Sequence, residues 1–64
     1  MIELVNLMVN GKPQAIAEGS TVAQLLETLG VRPESVVVEV NLTILKRHAH
    51  ATRVLKGRDQ VEIV

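Results

Sequence analysis

The stretch Gly19-Ser20-Thr21-Val22-Ala23-Gln24-Leu25-Leu26-Glu27-Thr28-Leu29-Gly30 decides how the chain is read. Val22, Leu25, Leu26 and Leu29 stand at i, i+3, i+4 and i+7, the spacing that lines one face of an α-helix. Thr21 is followed three residues later by Gln24, which fits a capping box satisfying two orphan N–H groups reciprocally. Gly30 supplies a left-handed residue past the last turn, Val31 can close over that turn, and Pro33 prevents continuation. A helix with one apolar stripe needs a surface to cover, so the flanking segments are read for strands.

Upstream, Val5, Leu7 and Val9 alternate with Asn6 and Met8, the pattern of a strand with one apolar face. Asn10-Gly11-Lys12-Pro13 is a hairpin signal, because Asn-Gly accepts the positive φ angles of a type I′ turn. A short second strand over Gln14–Ala17 would return Ile16 to the core. Downstream, Ser35–Val40 reads as a buried strand with Val36, Val38 and Val40 inward and Val37 and Glu39 on the other face. Asn41-Leu42 turns the chain into a short strand over Thr43–Leu45, with Ile44 expected inward. Residues 46–57 read as irregular, or as one loose helical turn. A turn at Lys56–Asp59 precedes a last strand in which Val61, flanked by Gln60 and Glu62, and Ile63 face the core.

The order is hairpin, helix, two strands, irregular segment, final strand. Packing one helix on one face of a mixed four- or five-stranded sheet is the layer solution for that order. The right-handed crossover rule lets the final strand lie beside the first, in parallel. This is an α+β chain of the β-grasp, or ubiquitin-like, arrangement, in one domain over residues 1–64.

Length and composition bound what such a domain can do. A chain of 64 residues buries only about 60% of the surface its unfolded form exposes, so nearly every large aliphatic side chain must pack. The 47% of hydrophobic residues supplies that core without any Phe, Tyr or Trp. The lack of aromatics removes a stacking platform for single-stranded nucleic acid and disfavours a nucleic-acid partner. There is no Cys, hence no disulfide, thiol nucleophile or thiolate zinc site. No apolar run approaches the roughly 20 residues of a membrane span, and Glu3 with Asn6 spoils a signal-peptide reading, so a cytoplasmic protein is expected. Net charge is zero, yet between Glu39 and Asp59 only Lys46, Arg47, Arg53, Lys56 and Arg58 are charged, a segment expected to be solvated.

No catalytic apparatus is legible. His48 and His50 fall short of the three or four ligands that zinc requires, and are expected to be a surface loop pair rather than a metal site. No Ser-His-acid spacing appears. Gly11, Gly19, Gly30 and Gly57 stand too far apart to cradle a phosphate. No metal or cofactor is expected, and an enzyme in its own right is not. The sheet face away from the helix is more informative, since alternation leaves Met8, Val37 and Leu45 there with Leu42 at a turn. Contiguous apolar residues on such a face suggest a docking partner.

With these residues in place, the chain resembles the ThiS family of sulfur carriers and, more distantly, the MoaD proteins. The resemblance runs from about Met8 to Val64, through Val9–Pro13, Glu18–Gly30, Val36–Asn41, Ile44–Arg47 and Arg58–Val64, in that order. It implies a protein that works as a covalent substrate. In the family, a mobile tail ending in Gly-Gly follows the last strand, and a ThiF-like enzyme adenylates its carboxylate with ATP. The thiocarboxylate formed there delivers sulfur to a thiazole synthase in thiamin biosynthesis. This sequence departs from the family pattern at Leu42, where Gly often follows Asn, at Lys46, often Pro, and at Arg58, where Gly is usual. No Gly-Gly stands at or before Val64, so no residue present can be named as the covalent attachment site. A tail-less β-grasp module of the TGS kind, binding protein or RNA, is the alternative that these residues leave open.

Overall fold

A computed structural model describes residues 1–64. Its elements are β1 (Leu4–Val9), β2 (Lys12–Ala17), α1 (Val22–Leu29), β3 (Val38–Val40), β4 (Thr43–Leu45) and β5 (Gln60–Ile63), with 3-10 turns at Pro33–Ser35 and Arg47–Ala49. The strands form one five-stranded sheet in the order β2-β1-β5-β3-β4. β5 runs parallel to β1 and antiparallel to β3, so the last strand in sequence lies at the centre.

α1 forms where its signals placed it. Gln24 N–H donates to Thr21 Oγ1 at 3.2 Å while Thr21 N–H donates to Gln24 Oε1 at 2.8 Å, closing the capping box. Gly30 has φ 71°, and Val31 N–H donates to Leu26 O at 2.9 Å as the chain leaves the helix. The first two helical N–H groups are satisfied from outside the helix: Val22 donates to Arg53 O and Ala23 to His50 O, both at 3.0 Å. Orphan donors that a helix normally leaves to water are thus taken up by residues 50–53.

The core comprises Leu7, Ile16, Val22, Leu25, Leu26, Val38, Val40, Leu55 and Val61, with Val5, Val9, Val31, Val36, Leu45 and Ile63 packed around it. Leu29, the last position of the helical stripe, is at the margin and partly exposed.

Three expectations are corrected. Ile44 and Leu45 exchange faces: Leu45 stands opposite Val38 and packs on the core, while Ile44 stands opposite Glu39 and is 63% exposed. The cause is the turn. Asn41 and Leu42 both take positive φ (52° and 69°) in a two-residue hairpin that pairs Val40 with Thr43, which fixes the parity of every later residue. His50 is buried rather than part of a surface pair, and its Nδ1 has no hydrogen-bond partner. Residues 46–57 are more than a solvated connection, because Leu55 enters the core and Leu55 N–H donates to Ser20 O at 2.8 Å. Their cations do stay largely in water: Lys46, Arg47, Lys56 and Arg58 are exposed and Arg53 is half-buried.

Candidate functional site: the outer sheet face and the end of β5

Alternation along each strand puts Asn6 and Met8 of β1, Gln60 and Glu62 of β5, Glu39 of β3 and Ile44 of β4 on the face away from α1. Val37, just before β3, joins them and is half exposed, and Leu42 projects from the β3–β4 turn at 88% exposure. Two shallow depressions cross this face. One is lined by Asn41, Leu42, Gln60 and Glu62, the other by Asn6, Leu7, Met8, Pro13, Arg58 and Gln60. Gln60 lines both. Of the four residues expected here, Met8, Val37 and Leu42 are present. Leu45 is on the opposite side, and Ile44 occupies the position it was expected to hold.

The face is apolar at its margins and acidic at its middle. Glu39 and Glu62 are directly opposite one another across the β3–β5 ladder. Like charges so placed repel, which is tolerable on a solvated face and favours a partner that brings a cation.

Leu42 is the unusual residue. A left-handed backbone is costly for a side chain that cannot hydrogen-bond locally, yet a large aliphatic residue holds it in the open. Asn41 beside it is well suited to the same conformation and is tied down on two sides. Its Nδ2 donates to Asp59 Oδ1 at 3.0 Å and its Oδ1 accepts from Gln60 N–H at 2.9 Å. Asp59 is itself buried, its Oδ2 accepting from Lys56 N–H at 2.8 Å. Arg58, at φ 73°, turns the chain into β5 and donates its N–H to Asn6 O at 2.8 Å.

At the other end of β5, Val64 and Val37 exchange backbone hydrogen bonds of 3.0 and 2.9 Å. The chain therefore leaves β5 at the rim of the outer face. No three residues of the His, Cys, Asp and Glu types cluster as metal ligands. No helix is long and apolar enough to cross a membrane.

Comparison with known proteins agrees with this geometry. A crystal structure of a thiamine biosynthesis protein (ThiS) from Geobacter metallireducens superposes with a TM-score of 0.86 at 41% identity, covering 94% of this chain and 91% of that one. An NMR solution structure of a thiamine biosynthesis protein from the same organism gives 0.79 at 41% identity, with 94% and 81% covered. Thiazole synthase of Magnetococcus marinus is 37% identical over 60 residues; these are 94% of this chain but only 18% of that protein's length. The ThiS family model matches residues 7–64. With the helix, the five-stranded sheet and the central parallel β5 in place, the chain belongs to the ThiS family.

Proposed function

We propose that this domain is a sulfur carrier for thiazole formation in thiamin biosynthesis, acting as a substrate of other enzymes rather than as a catalyst. The observation that carries the proposal is the likeness, over 94% of the chain, to a solved thiamine biosynthesis protein. The chemistry follows from the carrier's role. A carboxylate oxygen is a poor leaving group, and adenylation with ATP by a ThiF-like partner converts it into a good one that sulfur can displace. The domain supplies the docking surface, and a glycine-ended extension past β5 supplies reach into a narrow active site.

Met8, Val37, Leu42 and Ile44 are the apolar contacts of that docking surface. The second partner is a thiazole synthase. The Magnetococcus marinus protein of that name contains a stretch similar to this domain within one polypeptide, which supports a direct working relation between the two parts.

In the 64-residue chain the terminal carboxyl belongs to Val64, a β-branched residue in a backbone pair with Val37. This form is expected to dock without accepting sulfur, and a form extended by a few flexible residues ending in Gly-Gly is expected to accept it. Intact-mass spectrometry after incubation with ATP, a sulfur source and a ThiF-type enzyme checks this. The extended form should gain the mass difference of sulfur replacing oxygen. An extended form that stays unmodified, beside an enzyme that modifies its own carrier, overturns the proposal.

A further inference from the structure

The β1–β5 ladder does not stop where β1 stops. Met8 N–H donates to Asp59 O at 2.9 Å and Asn10 N–H to Val61 O at 2.8 Å, the alternate-residue progression of a parallel pair. In a regular parallel pair the next partners of Ile63 would be the Asn10 carbonyl, accepting from Ile63 N–H, and the amide of Lys12, donating to Ile63 O. The chain has already turned away, however, with Asn10 at φ 50° and Gly11 at φ 79°. The Asn10 side chain provides both partners instead. Its Oδ1 accepts from Ile63 N–H at 2.7 Å and its Nδ2 donates to Ile63 O at 3.2 Å. A side-chain amide carries the same donor and acceptor as a peptide group, so it can stand in for a strand residue.

The geometry points to Asn10 as the positioning residue that aims the chain leaving β5. Ile63 is held on the β1 side by this amide and Val64 on the β3 side by Val37, so the direction of departure is set from both flanks. Without Asn10, the last residues of β5 are held by β3 alone and can swing about that edge. The inference rests on the carrier reading: what Asn10 aims is the extension that must enter a second protein's active site, a placement in which small errors cost rate. Asn10 lines neither of the two depressions on the outer face, so aim and docking can be read separately.

Asn10→Gly separates the clamp from the turn, because glycine accepts the same φ and lacks the amide. Asn10→Asp keeps an acceptor for Ile63 N–H and loses the donor. In Asn10→Gly, amide exchange at Ile63 should accelerate by roughly tenfold, while exchange in α1 stays as in the parent; Asn10→Asp should fall between. In Gly-Gly-extended proteins, the ThiF-type enzyme should show an unchanged KM for Asn10→Gly and a kcat several-fold lower. Unchanged exchange at Ile63 overturns the clamp. Faster exchange with kcat unchanged overturns the aiming role while the carrier reading stands. A parent extended protein that is not modified overturns the carrier reading, and the aiming role with it.

Discussion

Two asparagines, each at a positive φ in a two-residue turn, hold the central strand at its two ends. Asn41 receives β5 at Gln60 through both its main chain and its side chain, and Asn10 releases it with its main-chain N–H on Val61 O and its side-chain amide on Ile63. Asn41 also joins the buried Asp59 carboxylate, which organises the turn into β5. Asp59→Ala would leave Lys56 N–H and the Asn41 amide without their acceptor, and should cost about 1–3 kcal/mol in urea unfolding. Leu42 is the counter-case, since its backbone conformation suits glycine. Leu42→Gly should raise stability by roughly 0.5–1 kcal/mol, yet weaken binding to a ThiF-type enzyme by removing an exposed apolar contact. If binding is unaffected, Leu42 is not part of the docking surface.

At the scale of elements, α1 is the piece whose support reaches furthest. Its cap is partly its own, through Thr21 and Gln24, and partly borrowed from Arg53 and His50. Thr21→Ala should cost about 1 kcal/mol, and Leu26→Ala about 2–5 kcal/mol, enough to leave so small a domain largely unfolded in thermal melts. Leu55→Ala should be as damaging as Leu26→Ala, although Leu55 lies in an irregular segment. The contrast shows what sequence can carry. The helix was legible because its stripe, cap and stop all lie within twelve residues of one another. Leu55 and His50 were not, because a lone apolar or imidazole group in an aperiodic segment leaves no pattern; only tertiary contact draws it inward. The exchange of Ile44 and Leu45 was legible in principle. A two-residue turn at Asn41-Leu42 pairs Val40 with Thr43, and counting on from there places Leu45 beside Val38.

For the whole molecule, one face is committed to the core and the other is free, and the register predicts opposite results for neighbouring residues. Ile44→Glu should leave the melting temperature near that of the parent while reducing affinity for the activating enzyme. Leu45→Glu should destabilise the fold itself, because it brings a carboxylate against the core beside Val38. Circular-dichroism melts of the two variants, with binding measured on whichever remains folded, decide the register. If Leu45→Glu melts like the parent, the β3–β4 pairing is out by one. The layer order, the helix and the parallel closure were all accessible from the sequence. The apolar residues of the outer face were accessible to within one residue, the error confined to the two shortest strands, β3 and β4.

The central place of β5 also bears on how the protein is made. β1 and β3 each lack a neighbour on their inner edge until residues 60–63 arrive, and those residues are the last strand to be synthesised. Helix and first hairpin can form locally as the chain emerges, but the two halves of the sheet have no common strand before then. Completion of the fold therefore waits on the closing of long loops. A ribosome stalled with residue 59 at the tunnel mouth should present two open sheet edges and an uncovered helix stripe, a nascent chain that chaperones would hold and proteases would cut.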